Sequence, residues 1–380
     1  MRALTRWIGV ALLVALPAAA QSTCPTRPSW PTDDWPVQLA DPVAKADEIK
    51  ALEDFAFTLQ EPDSARKGYR TDGLIIIKGG NIVYERYGRG FTETNRHLSW
   101  SVAKSFSSAL VGVAVKQGAL KLDDSICNYL RGYEGQAVCG ITVKQVISFA
   151  SGLAWQEEYE DKGYQVSSVI AMFFGVGHRD QLKHILTHAR AAAPGEAWLY
   201  STGDAELAAT VAKYALERKL GKKRQAWPLL FEKIGMKRVV LEEDALGSSL
   251  GGSHLYATPR DFAKFGWLFM NDGCWDGERI LPEGWVTDST TPSEYFVKYA
   301  PETEKESSGY AWWLNRAIPE RNMPSPWPDA PEDSYAAQGH WGQRIIVIPS
   351  EDVVIVRTGD DREGSIPVNE LIKYSLPVAR

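Results

Sequence analysis

The sequence predicts a mixed α/β (α+β) domain: one antiparallel sheet drawn from both chain ends, flanked by helices, with an inserted, mostly helical lobe. Three observations point there. Hairpin-like apolar segments lie near both ends, at Leu74–Tyr84 and Arg344–Arg357. Apolar spacing between them is largely helical. One internal segment, Ser101–Gln117, is apolar on nearly every face, the mark of a central buried helix. A sheet built from both ends and capped by such a lobe leaves a cleft between the two, a common place for a ligand site.

Taken in order, the chain starts with Arg2 and Arg6, an apolar run from Trp7 to Leu16, and Pro17-Ala18-Ala19-Ala20-Gln21. This pattern predicts a signal peptide over residues 1–20, cleaved after Ala20, and export to the periplasm or the medium. The run is too short to span a bilayer. Gln21-Ser22-Thr23 does not suit lipidation of Cys24, so no stable membrane anchor is expected. Residues 21–43 are rich in Pro, Trp, Ser and Asp and form an irregular arm. The domain proper is expected over residues 44–380, with an α/β lobe at about 44–118 and 255–380 and the helical lobe at about 119–254. Ala44–Leu59 has helical spacing. Leu74–Ile77 and Ile82–Tyr84 flank Gly79-Gly80-Asn81 as a tight hairpin. Gly118 ends the central helix. From about Leu120 to Lys233 the pattern is mostly helical, with loops at Gly132–Gly140, Ser151–Gly163 and Ala193–Gly203. Thr258 is a natural N-cap for a helix entered through Pro259. Arg344–Pro349 and Val353–Arg357 form the second hairpin, turning at Ser350-Glu351-Asp352, and a last helix is expected over Val368–Tyr374.

Composition limits the function. Of 380 residues, 44% are hydrophobic and 24% charged, with a net charge of −6, so no basic surface argues for a nucleic-acid partner. Fourteen Trp suggest an aromatic-lined cleft. Export would place the four cysteines in an oxidising compartment. Cys127 and Cys139 lie close enough to close a short loop, a bridge contributing on the order of 3 kcal/mol. Cys24 and Cys274 then remain as a second pair, though four cysteines allow three pairings. Their spacing matches no zinc site, and neither metal nor cofactor is called for.

The chemistry centres on Ser101-Val102-Ala103-Lys104. A spacing of three on a helix puts both side chains on one face, a turn apart. The helix N-terminus adds free N–H groups and partial positive charge beside Ser101. A nucleophilic serine needs a base. An ordinary lysine is neutral in only roughly one molecule in 2,500 at pH 7, and burial would raise that fraction. Ser-x-x-Lys occurs about once by chance in a chain of this length. A second copy, Ser64-Ala65-Arg66-Lys67, sits in a charged stretch and is expected as a solvated turn.

Around Ser101–Phe106 several segments fall in a familiar order. They are Leu122-Asp123-Asp124-Ser125-Ile126; Ile141-Thr142-Val143; Ala150-Ser151-Gly152-Leu153; Pro194-Gly195-Glu196; Tyr200-Ser201-Thr202-Gly203-Asp204; Leu250-Gly251-Gly252-Ser253-His254-Leu255; Ala257–Gly266; and Gly339-His340-Trp341-Gly342-Gln343. Over about residues 45–376 the chain resembles the penicillin-recognising serine hydrolases. It looks most like the class C β-lactamase-related branch, with its 6-aminohexanoate-dimer hydrolase and esterase members. The resemblance implies the β-lactamase/transpeptidase-like fold and a cofactor-free serine hydrolase acting on a small-molecule ester or amide. Ser101 would be the nucleophile, with Lys104 and Tyr200 sharing proton transfer. The family's Tyr-x-Asn is here Tyr200-Ser201-Thr202, a departure that speaks against efficient β-lactam turnover. The family's third motif has no clean copy. Aligning Ala337-Gln338-Gly339 with it gives the oxyanion hole the backbone N–H groups of Ser101 and His340. A second register uses His340-Trp341-Gly342 and moves the donor to Gln343. Tyr159, Asp161, Trp341, Thr202 and Gly339 are the expected substrate-binding residues. A D,D-peptidase or β-lactamase would share this machinery, and a binding protein that has lost catalysis would share the fold.

Two rival motifs compete. Gly247-Ser248-Ser249-Leu250-Gly251 matches a nucleophile elbow, but that motif needs a strand before it and a helix directly after. His184 and His188 have zinc-helix spacing without the accompanying Glu, and are expected on an exposed helical face.

Overall fold

The computed structural model describes residues 24–159, 165–223 and 226–380. The expected leader over residues 1–20 and the candidate Asp161 lie outside the described residues.

The sheet does join the two chain ends. Strands β1 (Thr71–Lys78) and β2 (Asn81–Tyr87) form the first hairpin across Gly79-Gly80. Two short pieces follow, β3 (His97–Leu98) and, far along the chain, β4 (Val240–Leu241), both pairing with β5 (Leu255–Ala257). A small hairpin pairs β6 (Cys274–Trp275) with β7 (Glu278–Arg279). Strands β8 (Ser307–Ser308), β9 (Trp313–Leu314), β10 (Tyr335–Gly339), β11 (Gln343–Ile348) and β12 (Val353–Gly359) complete the main sheet. Its seven strands run in the order β2-β1-β12-β11-β10-β9-β8, every pair antiparallel. Sequence patterning missed β8 to β10. Two of these strands span two residues each, and Tyr335-Ala336-Ala337-Gln338-Gly339 has no β-branched residue to mark it.

Among the described residues the α-helices are α1 (Ala46–Phe57), α2 (Val102–Lys116), α3 (Val143–Ile147), α4 (Ser168–Phe174), α5 (Gln181–Leu186), α6 (Thr202–Leu220), α7 (Pro259–Met270), α8 (Trp285–Ser289), α9 (Glu294–Tyr299) and α10 (Val368–Ala379). Both sheet faces are covered, and strand alternation sorts the residues between them. Leu74 and Ile76 of β1 join Ile346, Ile355 and the apolar stripe of α1 and α10, namely Leu52, Ala56, Leu371 and Leu376. Ile75 and Ile77 face the other way, with Ile345, Val347 and Val354, onto α2 and α7 through Phe106, Phe265 and Leu268. Fully burying each such side chain is worth about 1.5–3 kcal/mol. Thr258 caps α7, its hydroxyl accepting from the Asp261 N–H. The last helix runs through Pro377 to Ala379, beyond the expected Tyr374, because Leu376 and Val378 still bury apolar surface there.

Between α2 and β4 the chain is less helical than its apolar spacing suggested. Only α6 is long; α3, α4 and α5 are one or two turns each, joined by loops and 3-10 turns. Cystine bridges join Cys127 to Cys139 and Cys24 to Cys274. The second ties the N-terminal arm to β6, beside Arg27 bonding Asn271 at 2.6 Å and Asp352 at 2.7 Å. Among the described residues, no helix is long and apolar enough to cross a membrane.

Candidate active site

Ser101 ends a tight turn at the start of α2. Trp100 before it takes a left-handed φ of 47°, and the N–H groups of Val102, Ala103 and Lys104 bond back to the carbonyls of Ser99, Trp100 and Ser101. A bulky residue in that region costs of order 1–3 kcal/mol and persists only where the surroundings enforce it. The Ser101 hydroxyl makes no capping bond to the helix and meets the Lys104 amine instead.

A buried amine is within reach. Lys104 Nζ lies 2.8 Å from Ser101 Oγ, 2.8 Å from Thr202 Oγ1 and 2.8 Å from the Gly252 carbonyl. The lysine is buried, and loss of hydration pulls its pKa from 10.5 to about 8, opposed by the negative charges of Glu157 and Glu206. Tyr200 completes the group. Its ring centroid is 5.0 Å from Lys104 Nζ, and Phe149 and Trp313 hold it at 5.1 Å and 5.4 Å. Burial holds the phenol well above its ordinary range; the Ser101 hydroxyl bonds to it and pulls the other way.

Glycine makes these approaches possible. A Cβ on Gly252 would stand 2.7 Å from Thr202 Cγ2 and 2.8 Å from the Thr202 carbonyl, so only glycine brings its carbonyl to Lys104. At the end of β10, a Cβ on Gly339 would stand 2.3 Å from the Ser99 carbonyl. Gly339 therefore lets the strand end press against the turn that carries Ser101. His340-Trp341-Gly342 is the 3-10 turn between β10 and β11, with Trp341 at a left-handed φ of 58°. Ala337-Gln338-Gly339 thus ends strand β10, and His340 follows it beside Trp100, ring to ring at 5.3 Å. Gln343, the donor of the second register, opens β11 and turns its side chain to the Gly359 carbonyl at 2.6 Å.

An aromatic wall borders Ser101. Tyr159 stacks on His340 at 4.8 Å, Trp341 meets Trp100 at 5.0 Å, and the Arg362 guanidinium lies 3.2 Å from the Trp341 ring centroid. All four rings are partly exposed. Thr202 departs from expectation. It is fully buried, its hydroxyl is held between Lys104 and Glu157, and it belongs to the lysine's network instead of facing a substrate.

Glu157 is the residue that motif reading missed. Its Oε2 accepts from Trp155 Nε1 at 2.6 Å and from the Thr202 N–H at 2.9 Å. Its Oε1 accepts from the Tyr159 hydroxyl at 3.0 Å and from the Thr202 hydroxyl. It stands 4.0 Å from Lys104 Nζ. A signal was available: Trp155, Glu157 and Tyr159 alternate along an extended segment, so all three share one side.

The rival motifs dissolve. Ser248 and Ser249 are buried in the loop between β4 and β5, with no helix until Pro259. His184 and His188 are not on an exposed face. They are partly buried against Trp155, and their Nε2 atoms bond the Ser168 carbonyl and hydroxyl. No group of three metal-ligating side chains occurs among the described residues. Ser64 lies in an exposed 3-10 turn.

Comparison with known proteins agrees with this fold. The family profile described as Beta-lactamase matches residues 58–363. A 6-aminohexanoate-dimer hydrolase from Paenarthrobacter ureafaciens is 23% identical over 337 residues, covering 84% of this chain and 80% of the relative. Among solved structures, a candidate 6-aminohexanoate-dimer hydrolase from Bacillus anthracis superposes with a TM-score of 0.68 at 19% identity, covering 92% of this chain and 86% of that one. EstCE1, a hydrolase with promiscuous acyltransferase activity, gives a TM-score of 0.63 at 14% identity, over 89% of this chain and 100% of its own. A class C β-lactamase gives 0.60 at 14% identity, covering 90% and 98%. With a family match over most of its length and this fold, the chain belongs to the β-lactamase family of hydrolases.

Proposed function

We propose that the protein is an exported serine hydrolase that cleaves an ester or amide bond of a small molecule through an acyl-enzyme on Ser101. The observation that carries this reading is a buried lysine, its pKa lowered to about 8, with its amine 2.8 Å from the Ser101 hydroxyl. Ser101 Oγ attacks the substrate carbonyl as its proton passes to the Lys104–Tyr200 pair. The developing oxyanion is received by the backbone N–H groups of Ser101 and His340; one such donor is worth roughly 3–4 kcal/mol of barrier. The pair returns the proton to the leaving alcohol or amine as the bond to it breaks. Water, deprotonated by the same pair, then attacks the acyl ester, and the proton restores Ser101. The two titrations are coupled, so the base is a property of the pair.

Ester and amide substrates are favoured over β-lactams by two departures. Thr202 stands where the β-lactamases carry Asn, and the strand triplet carries Ala337 where they carry a cation. Export is supported by two disulfides, which persist in oxidising compartments. The test is labelling of the mature protein with a fluorophosphonate, read by mass spectrometry, beside hydrolysis of p-nitrophenyl esters. Ser101→Ala should fold normally, resist labelling and lose turnover. Equal activity in both proteins would remove Ser101 from the mechanism.

A further inference from the structure

We infer that Glu157 is a positioning residue that sets the direction of the proton chain through Thr202, so that the lone pair of neutral Lys104 faces Ser101. This rests on the reading of Ser101 as the nucleophile.

The inference follows from counting protons. Thr202 has one hydroxyl proton and two neighbours that could take it, the Glu157 carboxylate and the neutral Lys104 amine. A carboxylate accepts and cannot donate. Its four acceptor positions meet four donors: Trp155 Nε1, the Thr202 N–H, the Tyr159 hydroxyl and the Thr202 hydroxyl. The Thr202 proton is therefore committed to Glu157, and the oxygen offers only a lone pair to Lys104. The Gly252 carbonyl also only accepts. A neutral amine has two N–H bonds and one lone pair. Thr202 and Gly252 take both hydrogens, and the third neighbour at 2.8 Å is Ser101 Oγ. The lone pair then points at the proton it must remove. Without Glu157, the Thr202 hydroxyl could turn and donate to that lone pair, blocking the base.

Other groups facing Lys104 do not supply this direction. Glu206, one turn beyond Thr202 on α6, is buried, and burial holds its carboxyl well above the ordinary range against the pull of Lys104 and the Gly251 and Gly252 N–H groups. Tyr200 meets the amine with its ring. Asp204 is bonded to Ser151 at 2.7 Å, and Tyr159 spends its proton on Glu157. Glu157 is the carboxylate tied to the lysine through a shared hydroxyl.

The test compares kcat/KM against pH for p-nitrophenyl butyrate in the wild type, Glu157→Gln, Thr202→Val, Thr202→Ser and Glu157→Gln/Thr202→Val. Glu157→Gln should lower kcat about 100-fold with KM little changed. Losing the nearby negative charge should also move the acid limb of the profile down by about one pH unit. A residue that merely holds the loop would lower kcat and leave the limb in place, and that result overturns the inference. Thr202→Ser keeps the hydroxyl and should stay within about threefold of wild type, whereas Thr202→Val should fall about 100-fold. Because the two act through one hydroxyl, the double variant should lose no more than Thr202→Val alone. If Glu157→Gln does not fold, the Thr202 pair decides: equal loss in Ser and Val variants overturns the proposal. Activity surviving in Ser101→Ala would overturn the nucleophile reading and this inference with it. An inactive Ser101→Ala beside an unmoved limb overturns the inference alone.

Discussion

Below about pH 8, kcat/KM should fall tenfold for each pH unit, because one proton on Lys104 is enough to stop the reaction. Burial brings the pKa of that amine from 10.5 to about 8. At pH 7 about one molecule in ten then carries the free base, against about one in 2,500 for an ordinary lysine, a gain of about 200-fold. At 1.36 kcal/mol per pH unit, the fold opposes the lysine's charge by about 3 kcal/mol. The sign carries into stability. The unfolded chain holds the proton more tightly than the native one, so this group costs stability below pH 8. The cost is relieved as pH climbs from about 8 to 10.5. Initial rates on a p-nitrophenyl ester from pH 5.5 to 9.5, corrected for spontaneous hydrolysis, would show the limb; in kcat/KM it belongs to the free enzyme. Lys104→Arg keeps the charge but cannot lose a proton in this range, and should lose activity about 1,000-fold. A limb near pH 6.5 would refute the reasoning by pointing to a histidine in place of the lysine. A flat profile would refute it as well.

Two further outcomes bear on the scaffold and the wall of the site. Removing the Cys24–Cys274 bridge, which spans 250 positions, should destabilise the fold by up to about 5 kcal/mol, and removing Cys127–Cys139 by about 3 kcal/mol. Paired Cys→Ser variants in denaturant melts check the order, and a larger loss at the short loop would contradict the chain-entropy account. Trp341→Ala should raise KM about tenfold with kcat nearly unchanged, since a partly exposed ring can bind substrate equally in ground and transition states. A drop in kcat instead would mean that Trp341, at its left-handed φ of 58°, shapes the His340 turn.

Local pattern was enough to find much of this protein. The Ser101–Gln117 segment was recognisable as a central helix because its apolar residues cover every face, and the two hairpins because their strands alternate or run apolar between turn residues. Ser101 and Lys104 share a helix face, so their meeting is written into a spacing of three. Tyr200 was reached only through its place in an ordered set of segments, since a lone tyrosine carries no local mark of chemistry.

What the sequence determined by itself is therefore what short-range geometry controls: the helix that presents Ser101 and Lys104, the Thr258 cap, and the strands rich in β-branched residues. Tertiary structure alone decided the rest. It brought Thr202, Glu157 and the Gly252 carbonyl to one amine from three separate loops and helix ends. It also chose which cysteines pair, and it turned the weak strand Tyr335–Gly339 into the edge of the site by pressing Gly339 against Ser99. The physical reason is the same in each case. A pKa moved by burial, or a hydrogen bond across 148 positions, depends on which surfaces exclude water from one another, and that is settled only when the whole core closes.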